Sequence, residues 1–586
     1  MTISQNHQSV GLGGAVFEFP KSGIHSSDHT DKQGEVVIGQ TGTFTLQGDS
    51  VVYIGFGKDG QQERGRRICS ALRILGETRN GKAREWGRLL EWRDNDDNLH
   101  QWAMPMGLVV GDGVEVLREL LRRGLDIAHG KGKLVIEYIT SCKPESRITC
   151  TDKTGWHADS FVTHEGVYGP DAETLVYQNE EAPDTTTGQA GALHEWKASV
   201  SMQAIGNSRL VLALSSAFAG ALVHPSGIGS GGFHFHGGSS SGKTTAQLMA
   251  ASVWGNPDAY KRSWRATSNG LEGVASLHND GLLILDEIRE ISGKDASETA
   301  YMLGNGQGKT RSNRTGGARV PKSWRLLFLS SGEVTLSEML KSEGRRVYAG
   351  QEVRIADIRA DAGKGMGILE NLNHHKTPAG MADSLRYETS RQYGTAGAAW
   401  IEAITKDARK LWDSIPAQVS GFCDKVANNA GAQAHRVAKR FALVAIAGEL
   451  ATQAGITGWP AGEATRAVER CFYDWLQDFG AGAREERQVL DAVRACIERN
   501  TSLFQDCKST FQPKDMLGMT REPEDNADGK EYAVLASQLD RITEGFSKGQ
   551  AIAAMKAAGW LHDGRSASVR IPGLGNKKCY VISIQD

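Results

Sequence analysis

Two short stretches of the sequence carry residue types that bind nucleoside triphosphates. Residues 237–244 read GGSSSGKT and match the G-x-x-x-x-G-K-[ST] pattern of a phosphate-binding loop (Walker A), between a strand-like run and a helical run. Residues 281–288 read GLLILDEI, an apolar strand that ends in two adjacent carboxylates (Walker B). Because open α/β sheets bind ligands at the carboxyl ends of their strands, we expect the loop and the carboxylates to meet there.

The chemistry expected of these residues is hydrolysis of ATP with Mg²⁺. Lys243 would reach the β- and γ-phosphates, and Thr244 would offer its hydroxyl to the metal. Asp286 would complete the metal shell, and Glu287 would act as general base toward the attacking water. The alternative, a chance Gly/Ser loop and two solvated carboxylates, does not explain why both follow apolar strands. The residues predicted to bind nucleotide are Gly237, Gly238, Ser239, Ser240, Ser241, Gly242, Lys243, Thr244 and Thr245.

Two further roles in hydrolysis have candidates downstream of the carboxylates. The apolar run 324–331 ends in two serines, and we assign Ser331 to contact the γ-phosphate or the attacking water. Ring ATPases often neutralise transition-state charge with an arginine from the neighbouring subunit. The candidates are Arg345, Arg346 and Arg354. We favour Arg354, because it lies in a strand-like segment after the serine run.

Arg436 and Arg440 stand four residues apart and share one face of a predicted helix. In a helical lid over the nucleotide this face would reach back to the phosphates, and Arg436 is our candidate for that contact. The alternative is an ordinary solvated helix face.

A basic stretch precedes the serine run. Between Glu298 and Glu333 there is no acidic residue, and there are six basic ones. They are Lys309, Arg311, Arg314, Arg319, Lys322 and Arg325. The first four lie in the Gly-rich segment GKTRSNRTGGAR, which would form a hairpin that meets DNA phosphates in the pore of a ring. An ordinary solvated loop is the alternative, and the absence of counter-charges in a balanced chain favours DNA contact.

The whole-chain composition restricts where such contacts can be. The 586 residues include 67 basic and 69 acidic side chains, a formal net charge of -2, so any nucleic-acid site must be local. Eight cysteines lie scattered without a CxxC pair, which fits a reducing cytoplasm. We find no secretory signal, and the apolar run 210–223 is shorter than the roughly twenty residues of a membrane span. We therefore expect a cytoplasmic protein without membrane contact.

The pattern of elements divides the chain into five parts. We expect residues 1–34 to be flexible, 35–200 to be an α+β domain, 201–362 a parallel α/β core, 363–482 helical, and 483–586 a winged helix. In the second part, two alternating apolar runs in GRLLEWRDNDDNLHQWAM flank an acidic turn and predict a hairpin. In the last part, SASVRIPGL and KKCYVISI predict a closing hairpin that would be the wing. The last part carries further basic residues, and whether it grips DNA or another protein stays open. These basic residues are Arg565, Arg570, Lys577 and Lys578.

Several stretches together resemble a known family. GFHFHGGSSSGKTTAQLMAASVWG, WRATSNGLEGVASLHNDGLLILDEI, YMLGNGQGKTRSNRTGGA and WRLLFLSSGE are similar to an AAA+ domain-of-unknown-function family of phages, plasmids and integrative elements. Members are often fused to Toprim primases, and the family includes the helicase-like proteins of staphylococcal cassette chromosomes. EWGRLLEWRD and GFSKGQAIAAMKAAGWL extend the resemblance over roughly residues 65–586.

The resemblance implies a P-loop AAA+ ATPase core with a helical lid, in a hexameric DNA helicase or translocase that replicates a mobile element. Its DNA would be single-stranded or forked, and a separate primase or single-strand-binding protein would be a partner. It places Lys243, Thr244, Asp286 and Glu287 in the catalytic centre, and Arg354 and Arg436 beside it. Two features depart from the family. No primase module precedes residue 35, and serine stands at the sensor position where many AAA+ proteins have asparagine.

A second hypothesis comes from a different functional class. The chain would be an AAA+ remodeller, loader or defence-system ATPase, in which the N-terminal domain binds a protein partner. Its ATPase activity would then respond to that partner and not to DNA.

Overall fold

The computed structural model describes residues 36–57, 60–179, 186–312, 318–319, 321–345, 350, 353–428, 430–479, 484–522, 531–543, 546–561 and 566–584. The expected flexible segment 1–34, the arginine candidate Arg346 and the basic residues Arg314 and Arg565 lie outside these ranges. The chain forms two compact units. One comprises residues up to 188 together with 398–411, and the other comprises 189–397 together with 412–586.

The first unit is built from three β-sheets and the helices Val114–Arg122 and Gly132–Ser141. The antiparallel four-stranded sheet contains, in order, Val36–Ile38, Gly42–Gln47, Ser50–Gly55 and Arg66–Ser70. The five-stranded sheet contains, in order, Leu175–Tyr177, Arg147–Thr151, Leu72–Arg79, Gly87–Arg93 and Leu99–Pro105. The three-stranded sheet contains Val167–Tyr168, Ser160–Val162 and Gly155–His157. The predicted hairpin around the acidic turn is confirmed, because Arg93 pairs with Leu99.

The second unit has a five-stranded sheet in which every neighbouring pair is parallel. We name three of its strands: the loop strand (Gly231–His236), the carboxylate strand (Gly281–Asp286) and the sensor strand (Leu326–Gly332). The spatial order is Arg262–Ser263, carboxylate strand, sensor strand, loop strand and Ile355–Arg359. The carboxylate and sensor strands are almost wholly buried, as expected for strands covered on both faces. The predicted parallel α/β arrangement is confirmed here.

Helices return the chain from one parallel strand to the next. They are Lys243–Ser252, Pro257–Tyr260, Ser268–Leu277, Gly293–Asn305 and Leu336–Ser342. Side-chain caps set four of the starts: Asn256, Thr267, Ser292 and Thr335 each accept a hydrogen bond from a first-turn N–H. The helix Ser208–Ala219 is buried along its whole length, which explains its nearly continuous apolar sequence.

A helical region follows the sheet, as predicted for the residues beyond 363. Its helices are Pro378–Arg391, Thr395–Thr405, Ala408–Val426, Ala432–Gln453 and Glu463–Phe479. Phe441 packs edge-on against Phe233 of the loop strand, with ring centroids 4.9 Å apart. In the described part of the chain no helix is long and apolar enough to cross a membrane.

The C-terminal module has its own core and a larger sheet than the sequence predicts. Its helices are Arg484–Arg499, Leu539–Ile542 and Lys548–Ala557. The predicted closing hairpin, Ala567–Ile571 with Gly575–Ser583, is confirmed. It is part of a five-stranded sheet rather than a free wing, because three short strands precede it. These strands are Phe504–Asp506, Gly518–Arg521 and Glu531–Leu535.

Candidate functional site

The Gly/Ser loop connects the loop strand to the helix that begins at Lys243. Left-handed backbone conformations shape it, with φ of 60° at Ser240 and 89° at Gly242. A Cβ at Gly242 would lie 2.6 Å from Cγ2 of Ile368, so only glycine fits. The first-turn N–H groups of the helix have no acceptors within the helix and are available to an anion.

A segment after the last strand holds the loop from behind. The N–H of Ile368 donates to the carbonyl of Ser241 at 2.8 Å, and Gly367 lies so close that a Cβ would be 2.6 Å from the same oxygen. Sequence analysis did not find this support. Its only signal is the alternation of glycines at 363, 365 and 367.

Lys243 is buried and its ammonium is fully engaged. Its Nζ donates to the carbonyls of Gly237 at 2.7 Å and Gly238 at 2.8 Å, and to Oγ of Ser241 at 3.2 Å. Burial lowers the pKa of Lys243, and the nearby carboxylates of Glu287, Glu333 and Asp286 oppose that shift. The fold therefore brings the loop lysine and the predicted carboxylates together at the carboxyl edge of the sheet.

Asp286 is held by two partners, one of which the sequence analysis missed. The Ser331 hydroxyl donates to Oδ1 of Asp286 at 2.6 Å, which places the predicted sensor residue against the predicted metal ligand. The ammonium of Lys261 lies 2.5 Å from Oδ2. Lys261 directly precedes the short strand Arg262–Ser263, which pairs in parallel with the end of the carboxylate strand. Both carboxylate oxygens of Asp286 are thus occupied by protein donors.

Glu287 adopts a backbone conformation that is unusual for a residue with a side chain. Its φ is 53° and its ψ is 81°, in the left-handed region. Its N–H donates to Oγ of Ser331 at 3.3 Å, so one hydroxyl contacts both members of the Asp-Glu pair. Such strain clusters at functional sites, where the surrounding structure holds the residue in place.

The two serines at the end of the sensor strand have different environments. Ser330 is buried, accepts from the indole N–H of Trp264 at 2.9 Å and lies 2.8 Å from Nδ1 of His234. Nε2 of His234 is 3.0 Å from the carbonyl of Val334, which fixes its proton on Nε2. Burial lowers the pKa of His234 to about 3, so the ring is neutral. Ser330 therefore belongs to the packed interior, and Ser331 alone faces Asp286.

Arg354 lies at the opposite edge of the sheet. It directly precedes the strand Ile355–Arg359, and its guanidinium stacks on the ring of Tyr301 at 4.1 Å. Its Nη2 donates to Oδ1 of Asn305 at 2.6 Å. A Cβ on Gly304 would lie 2.8 Å from the Arg354 side chain, so this glycine makes room for it. The residue is firmly positioned, but at the amino-terminal edge, away from the loop of its own chain.

Arg436 and Arg440 of the helix Ala432–Gln453 lie at that same edge. Arg440 is buried and donates to the carbonyls of Gly232 at 3.3 Å and Val353 at 3.1 Å, where two strands begin. Arg436 is exposed one helical turn earlier and acts electrostatically on Arg354. The structure therefore does not bring Arg436 to the Gly/Ser loop of its own chain, because its helix lies against the amino-terminal ends of the strands.

Arg359 is an arginine that the structure does place at the carboxyl edge. It ends the strand Ile355–Arg359 and pairs with Asp478 of the helix Glu463–Phe479. Sequence analysis did not consider it, because nothing local distinguishes it from other strand-end arginines.

The basic stretch forms the expected hairpin at the amino-terminal edge. Strands Arg311–Ser312 and Ala318–Arg319 pair in antiparallel fashion, with Arg311 opposite Arg319. The N–H of Lys309 donates to Oε1 of the buried Glu272 at 3.2 Å, which anchors the base of the hairpin. Lys309 itself is exposed, and Arg314 lies outside the described residues.

The chain was compared with protein families and with solved structures. Residues 44–323 match the family model described as domain of unknown function (DUF927). The match covers just under half of the chain. A solved structure titled SCCmec type IV Cch, active helicase, aligns with a TM-score of 0.68 at 16% identity, covering 92% of this chain and 97% of that one. The fold of this chain is therefore similar to that of a protein described as an active helicase.

Two other comparisons add no argument. The apo C-terminal region of NrS-1 aligns with a TM-score of 0.23 at 8% identity, covering 69% of this chain and 91% of that one. No curated protein matches the sequence.

The donor set of this site suits Mg²⁺ with a nucleotide. Mg²⁺ in such sites takes one or two protein oxygens and completes its shell with phosphates and water. Thr244 and Asp286 offer that number, and the Thr244 hydroxyl makes no hydrogen bond to the described residues. The residues that the structure describes contain no cluster of three or more His, Cys, Asp or Glu side chains that could bind a metal ion without a nucleotide.

Proposed function

We propose that this protein is a DNA helicase or translocase driven by ATP hydrolysis, with an AAA+ core. The observation that carries the proposal is the cluster of Lys243, Asp286, Glu287 and Ser331 at the carboxyl edge of a parallel sheet. Helicase-like fold similarity supports it at the level of architecture.

Each residue of the cluster has a role in hydrolysis that follows from its contacts. On nucleotide binding, Lys243 exchanges the loop carbonyls for phosphate oxygens. Thr244 and Asp286 would hold Mg²⁺, which would supply charge neutralisation. Ser331 orients Asp286 by its hydrogen bond, and Glu287 accepts the proton of the attacking water.

The position of Arg354 supports a ring in which subunits complete each other's sites. Because Arg354 lies at the edge opposite its own loop, it would act on the nucleotide of a neighbouring subunit, and a hexamer is the assembly we propose. Subunits with Lys243→Ala and subunits with Arg354→Ala should each be inactive, and mixing them should restore part of the ATPase activity. A mixture of Lys243→Ala with Glu287→Gln, two lesions in one site, is the control and should stay inactive. Absence of recovery in the first mixture would remove Arg354 from this role.

The hairpin at residues 309–319 supports DNA as the substrate. Lys309, Arg311, Arg314 and Arg319 would contact the backbone of single-stranded or forked DNA in the ring pore. The same proposal includes a C-terminal winged helix and a helical lid. It also includes a role for the protein in replicating a mobile element. A primase or single-strand-binding protein would act beside it.

The deciding experiment measures ATPase activity with and without single-stranded DNA, together with unwinding of a labelled fork. We expect DNA to stimulate the wild-type protein, and Lys243→Ala to abolish both activities. Glu287→Gln should bind ATP and not hydrolyse it. The combined substitution of Lys309, Arg311 and Arg314 by alanine should remove the stimulation and leave basal hydrolysis intact. ATPase activity that ignores DNA in the wild-type protein would favour a remodeller acting on a protein partner.

A further inference from the structure

The turn of the closing hairpin in the C-terminal module is surrounded by cations. Arg570 lies before the turn, and Lys577 and Lys578 lie after it, all three exposed. From residue 564 to 585 the sequence contains no acidic residue. Within the described part of the chain these three side chains form no ion pair, so their charge is available to an anionic ligand.

The strand register distributes these charges over both faces of the hairpin. Arg570 pairs with Asn576 and Ser568 pairs with Lys578, so Arg570 and Lys578 are diagonal neighbours on one face. Val569 pairs with Lys577 on the other face. A polyanion that crosses the turn, rather than a single bound phosphate, would contact all three cations.

An exposed aromatic ring stands beside this turn. Phe511 is 75% exposed, the highest value for a large aromatic side chain among the described residues. A single exposed apolar residue needs no explanation by itself. The neighbouring turn residue Leu574 is also exposed, at 37%, and these two side chains are fewer than the broad apolar patch typical of a docked protein.

A buried side chain fixes the loop of Phe511 against the turn. The amide of Gln505, itself buried, donates to the carbonyl of Ser509 at 2.7 Å and to the carbonyl of Pro572 at 3.0 Å. Gln505 belongs to one edge strand of the sheet, and Pro572 follows the other edge strand. The N–H of Phe511 also donates to Oγ of Ser509 at 3.1 Å. The ring is therefore presented by a structured loop next to the cations.

The charge of the Phe511 loop itself is balanced. Asp506 and Asp515 flank it, as do Lys508, which pairs with Glu522 at 2.6 Å, and Lys514. The net positive charge of the surface thus comes from the hairpin turn.

We propose that Phe511 and the cations Arg570, Lys577 and Lys578 form a second contact for single-stranded DNA, separate from the hairpin at residues 309–319. Aromatic rings beside basic grooves bind single strands by stacking on a base while the cations follow the phosphates. The proposal rests on the proposed function, because it supplies a second grip on the same substrate. A strand held at both places would be retained while the first contact is released.

The test measures binding of a fluorescein-labelled oligothymidine to the full-length protein by anisotropy, with a non-hydrolysable ATP analogue present. Phe511→Ala should weaken binding about 10-fold, as expected for loss of one stacked base. Phe511→Leu should behave like Phe511→Ala, since it keeps the apolar surface and removes the π face. Tyr473→Ala, which removes another exposed aromatic ring, is the matched control and should bind normally.

The charge contribution is read from salt dependence. Replacing Arg570, Lys577 and Lys578 by alanine should reduce the slope of log affinity against log salt concentration by about 2. Each lost contact with a phosphate of single-stranded DNA accounts for ~0.7 of this slope. Lys508→Ala with Lys556→Ala, two exposed cations of the same module, should leave the slope unchanged. Equal thermal unfolding midpoints and equal basal ATPase activity establish that the variants fold.

The outcomes separate this proposal from the function it rests on. A wild-type protein that does not bind the oligonucleotide refutes both. Normal wild-type binding with an unchanged Phe511→Ala variant, or full binding by Phe511→Leu, refutes the second contact alone and leaves the module to protein contacts.

Discussion

Lys261 binds the carboxylate of Asp286, and a divalent cation at this site would compete with its ammonium for that carboxylate. Its ammonium lies 2.5 Å from Oδ2 of Asp286, and the two side chains are only 21% and 25% exposed. At an effective dielectric constant of about 20, opposite charges in contact attract by roughly 4 kcal/mol. Desolvation and side-chain ordering offset much of this, which leaves about 1–2 kcal/mol. Replacing Lys261 by Met should therefore raise the apparent Mg²⁺ affinity about 5- to 30-fold, since 1.4 kcal/mol is tenfold.

The measurement is the Mg²⁺ dependence of ADP binding, followed by the thermal unfolding midpoint and by a fluorescent nucleotide analogue. Without Mg²⁺ and nucleotide the Lys261→Met variant should be about 1–2 kcal/mol less stable than the wild type, because Asp286 loses a partner. Lys294→Met is the matched control: its ammonium is 3.9 Å from Glu298 in an exposed pair that contributes little.

Two results would contradict this reasoning. An unchanged Mg²⁺ midpoint in Lys261→Met would show that the ammonium does not compete with the metal. A higher Mg²⁺ requirement would show that Lys261 helps to bind the phosphates. Asp286→Asn should abolish the Mg²⁺ dependence, and if it does not, Asp286 is not a metal ligand.

Three further predictions concern other contacts. Ser331→Ala removes the 2.6 Å hydrogen bond to Asp286 and should lower kcat about 10- to 100-fold, from roughly 1.5–3 kcal/mol for a bond to a charged group, with nucleotide affinity nearly unchanged. Gly304→Ala places a Cβ 2.8 Å from the Arg354 side chain and should reduce steady-state ATPase activity as Arg354→Ala does, without loss of nucleotide binding. Burial lowers the pKa of His234 from 6.5 to about 3, so below pH 6.5 the unfolded chain binds a proton that the folded chain does not. Wild-type stability should therefore fall relative to His234→Gln by about 2 kcal/mol between pH 7 and pH 5, measured by urea unfolding, and an equal pH dependence of both proteins would exclude this cause.

The sequence predicts the phosphate loop and the strand ends because their information is local. The Gly/Ser loop with Lys243 predicts a strand before it and a helix after it. The apolar run that ends in Asp286 predicts a buried strand whose carboxyl end reaches the edge of the sheet. The parallel sheet then brings the two together, since the carboxyl ends of all its strands meet at one edge.

Other parts of the site depend on contacts that the sequence does not encode locally. Lys261 reaches Asp286 only because a two-residue strand pairs beside the carboxylate strand. Ile368 supports the loop from a distant part of the chain. Arg436 lies on a helix face that the spacing does predict, but spacing does not determine which edge of the sheet that helix approaches.

The C-terminal sheet shows a limit of a different kind. Its strands Phe504–Asp506, Gly518–Arg521 and Glu531–Leu535 are three to five residues long, too short for an alternating pattern to be recognised. The closing hairpin is longer, and its strands flank a turn that its Pro and Gly residues make recognisable, so the sequence predicts this hairpin.

One helix connects the two functional edges of the sheet. Gly293–Asn305 begins a few residues after Glu287, at the carboxyl edge, and its 13 residues span about 20 Å. It ends at Asn305, which holds Arg354, and continues into the basic hairpin. If Glu287 is the general base, a change in its strained backbone on hydrolysis would be transmitted along this helix to Arg354 and the hairpin together. The arginine proposed to act on the neighbouring subunit and the hairpin proposed to bind DNA would then be positioned by the same helix, so subunit contact and DNA contact would change together.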